Sequence, residues 1–489
     1  MLLSKILDNI EYTCEHNVDI NISDIVYDSR KAKDGVMFVC LNGYRFDAHN
    51  YASGAYDSGC RCFMVERMLD LPKDAVQIVV EDTRAALAVA SANFFGHPSG
   101  ELRVIGITGT KGKTSTSHIV KAIIEASGSK CGIIGTVGAF YDNVRLETVN
   151  TTPESYELQK FFRIMLDNGC KYCVIEVSSL GLMMHRVDCV EFEAGVFTNL
   201  SPDHIGPTEH PDFEDYMYWK SVLFERCRHA VVNIDDPAYE NMLKNCKCDV
   251  LTYGLHNAQI SADDVKLLKN SKFIGISFEC KEFDDVYYVE VALPGLFNVY
   301  NALAAISVCH SIGIETRKYA DCLENIRVAG RAECVYVCDD FDVIIDFAHN
   351  GVSMKSMLDT LKSYPHNRII AVYGSVGGRT QLRRRELGLI TGKECDLSVL
   401  TSDDPDFENP MDIINDIASA VSEAGGEYVA VPDRGEAIEY ALEHAQKGDI
   451  ILLAGKGHEN FMKICGEHIP FSEKEHIEKY RQRRNNGNV

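Results

Sequence analysis

Apolar runs of three to six residues recur along the chain, and most end abruptly in a polar or glycine-rich cluster. They lie at 36–41, 62–65 and 76–80, at 104–107, 172–177, 194–198 and 230–234, and at 343–345, 369–373, 397–400 and 450–453. Near-continuous Val, Ile and Leu runs suit strands buried on both faces of a parallel sheet. Helical patterns lie between them, such as Ile119, Ala122, Ile123 and Ala126, which fall on one face of a 3.6-residue period. Strand and helix alternate from about residue 99, which predicts a mostly parallel α/β architecture.

At 489 residues the chain exceeds one compact core, and three domains are expected. The boundaries are placed at 1–98, 99–329 and 330–489, after a linker at 93–100 and at the Arg327-to-Arg331 segment. No internal repeat or low-complexity segment is visible.

Composition narrows the function classes. A formal net charge of -23 opposes nucleic-acid binding, which needs a basic face. The basic runs 383–385 and 481–484 read as solvated helix faces. The N-terminal segment MLLSKILDNIEY is too short and broken for a signal-peptide core, and no stretch approaches the ~18 apolar residues of a membrane span. Eighteen scattered cysteines, many inside apolar runs, read as free thiols of a reducing compartment, so a cytoplasmic location without membrane insertion is expected. Cys170 and Cys173 have metal or redox spacing but no matching second pair nearby, and read as a helix end entering a strand.

The densest chemistry is in Thr108-Gly109-Thr110-Lys111-Gly112-Lys113-Thr114-Ser115, between an apolar run and a helical pattern. Strand, glycine-rich turn and helix together present backbone N–H groups and a helix N-terminus to phosphates. Lys113 would reach the terminal phosphates and Thr114 a magnesium ion. The spacing departs from the general phosphate-loop pattern, because Ile107 stands where its first glycine would be.

Three further residues point to the same chemistry. Glu176 closes an apolar run in Glu-Val-Ser-Ser, where a carboxylate could complete the shell of a hard cation. His204 ends Thr198-Asn-Leu-Ser-Pro-Asp-His204 at another run, and Lys220 follows sixteen residues later among Tyr216, Trp219 and Phe224. A desolvated lysine has a depressed pKa. Its neutral amine could then add CO2 and become an anionic, magnesium-binding carbamate.

The set TGTKGKTS, EVSS, TNLSPDH, YWKSVLF, NIDDP, GLFNVYN, GRAE, DFAHN, DDP and GKGHE resembles the Mur ligases, most closely those adding the third residue of the cell-wall precursor. The resemblance covers Asp28 to Glu459. It implies a three-domain fold, with a UDP-binding N-terminal domain, a central phosphate-loop ATPase domain and a Rossmann-like C-terminal domain. It implies that Gly109, Thr110, Lys111, Gly112, Lys113, Thr114 and Ser115 bind ATP, with Asn298, Asn301, Arg331, Asp346 and His349 around the nucleotide. Thr114, Glu176, His204 and carbamylated Lys220 would organise Mg2+, and Lys113, Glu176, His204 and Lys220 would serve catalysis.

On the acceptor side the resemblance implies contacts to UDP-N-acetylmuramoyl-L-Ala-D-Glu from Ser29, Asn150, Thr151, Thr152, Ser178 and Arg186. Arg379, Asp403, Asp404, Asp406, Gly455 and Glu459 would bind the incoming amino acid. The implied reaction transfers the γ-phosphoryl of ATP to the glutamate carboxylate, and the amine then displaces phosphate to form an amide. Domain closure and a monomer are expected.

The chain departs from the family pattern at Asp403-Asp404-Pro405-Asp406, where diaminopimelate-adding members carry Asp-Asn-Pro-Arg. An acid in place of a base favours a distal ammonium, so L-lysine, then ornithine, is the expected third residue. Leu180 and Met184 depart on the acceptor side. Two other readings stay open: a Mur-like ligase for another carboxylate, as in folylpolyglutamate synthetases, and a silent nucleotide-binding regulator.

Overall fold

The computed structural model describes residues 1–17, 19–43, 46–207, 209–338, 340–378 and 381–485. The chain forms two compact units, Met1–Ser261 with Leu303–Tyr319, and Ala262–Ala302 with Ala320–Val489.

The first unit contains two sheets. Four parallel strands lie in chain order: Asp24–Val26, Val36–Val39, Cys62–Val65 and Val76–Val79. The helix Thr83–Phe95 follows. The Asp82 carboxylate accepts its first N–H groups, and Gly96 ends it at φ 73°, the left-handed stop glycine makes cheaply. In the second sheet, Arg103–Thr108 lies between Phe192–Phe197 and Tyr172–Glu176. Cys227–Asn233 and Asp249–Gly254 extend it on one side and Cys131–Gly135 on the other, all parallel. Every residue of Tyr172–Glu176 is buried, as a strand covered on both faces must be.

The second unit is built on six strands in the order Glu333–Val337, Phe341–Asp346, Asp449–Ala454, Ile369–Tyr373, Leu397–Leu400 and Tyr428–Ala430. Only the first is antiparallel to its neighbour. Separate apolar clusters, one around Met354, Leu358 and Ile414 and one around Ile438, Ala441 and Ile477, pack against this sheet. That is the doubly wound arrangement, which leaves the carboxyl ends of the strands open for ligands.

Antiparallel pairs interrupt the predicted alternation of strand and helix. Gly138–Tyr141 pairs with Val144–Leu146, and Ile274–Glu282 with Asp285–Val291. Their reversals use Asp142 and Phe283 at φ 47° and 55°. A phenylalanine in that region is uncommon, which explains why no turn is visible there in the sequence. All eighteen cysteines are free, with Cys170 and Cys173 buried. Among the described residues, no helix is long and apolar enough to cross a membrane.

The helix Ser155–Asp167 buries Leu158, Phe162 and Met165 in the core that supports the central sheet. Phe162→Ala is expected to lower the unfolding free energy by about 3–5 kcal/mol, read as a lower midpoint in denaturant unfolding.

Candidate functional site

The strand Arg103–Thr108 runs into the loop 109–112, and the helix Lys113–Ala126 follows at once. Gly109 and Gly112 have φ of 144° and 85°. A Cβ on Gly109 would lie 2.0 Å from Thr198 Oγ1, so this position accepts no side chain. The helix N-cap is Gly112. It has no side chain to accept the first N–H groups, so an anion can.

The neighbouring strand end holds the loop. Thr110 N–H donates to the Asn199 carbonyl at 2.8 Å and Lys111 N–H to Asn199 Oδ1 at 2.9 Å. The Thr198 hydroxyl donates to the Lys111 carbonyl at 2.7 Å. The sequence marked this segment for His204, whereas Thr198 and Asn199 are the residues that shape the loop. Only the strand-to-strand adjacency reveals that.

Two ammonium groups converge on one carbonyl. Lys113 Nζ donates to Gly109 O at 2.8 Å and to Thr110 O at 3.1 Å, and Lys220 Nζ donates to Gly109 O at 3.0 Å. Lys220 is 2 % exposed. Burial first, then the charge of Lys113, drives its pKa well below the ordinary lysine value, against a weaker pull from Asp203. Its ammonium also lies 4.5 Å from the centre of the Tyr216 ring. Tyr216 in turn meets Thr110 Oγ1 at 3.1 Å and packs beside His204 and His210.

Glu176 is buried, and its carboxylate accepts from Thr136 N–H at 3.1 Å and the Thr136 hydroxyl at 3.0 Å. Thr152 donates to the Glu176 carbonyl at 2.9 Å and lies 3.0 Å from Ser178 Oγ, and Thr151 reaches Thr136. Arg186 is tied to Glu154 at 2.8 Å and to the Thr152 carbonyl at 3.1 Å. Thr114 is buried, Ser115 half-buried, and Lys111 and Asn150 exposed. Ser29 begins a short 3-10 turn capped by Asp28. His204 is half exposed at φ 54° with Nδ1 2.8 Å from Glu209.

Among the described residues, no group of three or more His, Cys, Asp or Glu has metal-binding geometry. The expected magnesium ligands include only two such residues, Glu176 and His204. By chemistry, the Thr114 hydroxyl and the Glu176 carboxylate are hard oxygen donors of the kind magnesium takes.

The second unit carries the remaining motifs. Asn301 Nδ2 donates to Asn298 Oδ1 at 2.8 Å, and Asn298 Nδ2 to the Pro294 carbonyl at 2.7 Å. Asp346 accepts from Ala332 and Ala348 N–H groups at 2.7 and 2.8 Å. Burial raises its pKa, against those bonds and Arg331. The Arg331 Nε is buried with no hydrogen-bond partner, the orphan a polar ligand would satisfy. Phe347 packs edge-on against His349 and at a tilt against His458.

Lys456, fully buried, lies 2.8 Å from Asp404, 2.7 Å from Glu459 and 3.8 Å from Asp403. Burial opposes its charge, yet these carboxylates outweigh it and raise its pKa. Gly455 adopts φ 110°, and a Cβ there would stand 2.8 Å from Asp403 Oδ2. Arg434 and Glu473 form a buried pair at 2.7 Å in the same unit. The sequence carried Lys456 inside a motif without a role, and Arg434 without any local signal. Arg379 lies outside the described residues.

A loop of this geometry suits nucleotide phosphates, and similarity to known enzymes makes the chain an ATP-dependent acid–amino-acid ligase. The chain belongs to the Mur ligase family: the Mur ligase middle domain matches residues 107–309, and the Mur ligase, glutamate ligase domain matches 330–457. It is 40% identical to the UDP-N-acetylmuramoyl-L-alanyl-D-glutamate–2,6-diaminopimelate ligase of Caldanaerobacter subterraneus subsp. tengcongensis, over 97% of this chain and 98% of that one. The enzyme of that name from Clostridium botulinum is 38% identical, over 98% and 99%. A solved structure of a ligase with this name superposes with a TM-score of 0.72 at 27% identity, covering 99% of each chain.

These relatives do not support lysine as the added residue, since each is named for diaminopimelate. The physical reason lies at Asp406. Its carboxylate pairs with Lys463 at 2.6 Å and accepts from Gly466 N–H at 2.8 Å. Lys463 first, then the Gly466 N–H, hold its pKa below the usual range. The charge read as a free acid is balanced within the protein.

The folded-state pKa of Lys220 lies below its unfolded value, so in that window the unfolded chain binds the extra proton and stability rises with pH. Lys220→Met is therefore expected to raise the thermal midpoint at neutral and lower pH. The gain should vanish as pH passes the ordinary lysine value, in melts collected across pH.

Proposed function

We propose that this chain joins diaminopimelate to UDP-N-acetylmuramoyl-L-Ala-D-Glu with cleavage of ATP to ADP and phosphate, in the cytoplasm, as a MurE-type enzyme of peptidoglycan precursor synthesis. The full-length match to relatives of that name carries the reading, supported by a phosphate loop whose catalytic-type lysine, Lys113, lies beside a second buried lysine. The domains assigned are 1–98 for the UDP-linked acceptor, 99–329 for ATP and 330–489 for the amino acid.

In this reading the loop N–H groups and Lys113 orient the γ-phosphate toward the D-glutamate carboxylate. The carboxylate oxygen bonds to phosphorus, ADP leaves, and the amine then attacks the acyl carbon, expelling phosphate and losing a proton. A magnesium ion held by Thr114, Glu176, His204 and carbamylated Lys220 would offset phosphate charge. Thr152, Ser178 and Arg186 face the acceptor, with Ser29 at its UDP end. Arg331, Asp346, His349, Asn298 and Asn301 serve the nucleotide. Asp403, Asp404, Gly455 and Glu459 hold the amino acid, with Lys456 fixing the carboxylates in place.

Two measurements test this. Phosphate release from ATP is expected only with both the UDP-muramoyl-dipeptide and an amino acid present. With diaminopimelate, lysine and ornithine in competition, mass analysis should find the diaminopimelate product in excess; a dominant lysine or ornithine product overturns the amino-acid assignment. Lys113→Ala is expected to lower kcat by at least about a hundredfold, through loss of charge stabilisation at the transferring phosphoryl group.

A further inference from the structure

His210 has no part in the chemistry above, yet it is fully buried and bonded on every side. Its Nδ1 lies 2.7 Å from Asp215 Oδ2 and its Nε2 2.8 Å from Ser179 Oγ. Its backbone N–H donates to the His204 carbonyl at 3.1 Å, and its own carbonyl accepts from Gly206 N–H at 3.0 Å. Its ring packs on Tyr216 with centroids 5.3 Å apart.

These contacts lead to three segments. Ser179 opens the helix Ser179–Met183, three residues after Glu176. The His204 carbonyl belongs to the turn that presents His204. Asp215 and Tyr216 lie in the helix Phe213–Ser221, which carries Lys220. We propose that His210 is a positioning residue that sets the spacing of Glu176, His204 and Lys220 around the bound Mg·ATP phosphates.

The chemistry of the contacts agrees with bracing. A carboxylate at Nδ1 fixes the proton there, which leaves Nε2 to accept the Ser179 hydroxyl proton. The order Ser, His, Asp is that of a hydrolase triad, but Ser179 is only 2 % exposed, so no substrate carbonyl can reach its oxygen. A buried, fully satisfied polar network specifies one arrangement. Groups behind metal ligands typically matter nearly as much as the ligands.

The inference rests on the assignment of this region to Mg·ATP. It is tested on the full chain by calorimetric binding of a non-hydrolysable ATP analogue at increasing magnesium concentration. Ser179→Ala is expected to raise the half-saturating magnesium by about tenfold, with affinity for the UDP-linked acceptor unchanged. Asp215→Asn, which keeps an acceptor for Nδ1–H, should retain the wild-type magnesium dependence. If Ser179→Ala does not fold, His210→Gln carries the same test.

Unchanged magnesium dependence in the folded variant overturns the proposal. So does labelling of Ser179 by a fluorophosphonate, which would make it a nucleophile, or absence of magnesium-dependent binding in the wild-type chain. Binding is read without turnover, so loss of the brace is distinguished from failure of the ligase reading, in which wild-type phosphate release itself is missing.

Discussion

Two lysines sharing the carbonyl of Gly109 impose the main constraint on this molecule. Lys113 and Lys220 both donate to that oxygen, and the second is buried with its pKa driven down. A buried ammonium beside another ammonium is relieved when it gives up its proton or when an anion arrives. Both outcomes suit the phosphoryl-transfer role proposed for this loop. A phosphate supplies the missing charge, and a neutral lysine amine is the form that can react with CO2.

The surrounding backbone makes this tolerable. Thr198 and Asn199 grip the loop from the neighbouring strand, and Tyr216 gives Lys220 the face of a ring. The second unit solves the opposite problem. There carboxylates are in excess, and Lys456 and Arg434 are buried among them. Removing either cation would leave unpaired buried carboxylates, which is costlier than never having buried the pair. One unit therefore concentrates positive charge at its glycine-rich loop, and the other concentrates acids around two buried cations.

Much of this was legible in the chain. The apolar runs at 104–107, 172–177 and 369–373 became strands because uninterrupted Val and Ile suit a sheet covered on both faces. The glycines of the loop were legible because positive φ and close backbone approach leave few other residues possible. The hairpin 274–291 was not legible, since its reversal uses Phe283 rather than a turn residue. Nor was the buried network at His210, whose ring partners Ser179 and Asp215 lie 31 and 5 residues away.

Asp406 shows the limit most plainly. Its charge is a property of the sequence, but whether that charge is available depends on Lys463, 57 residues on and 2.6 Å away. The sequence by itself determined the fold class, the phosphate loop and the family, because these rest on local periodicity and on backbone conformations few residues can adopt. Only the tertiary structure decided which charges stand free and which are cancelled. Electrostatic energy depends on distance and burial, and neither is written along the chain.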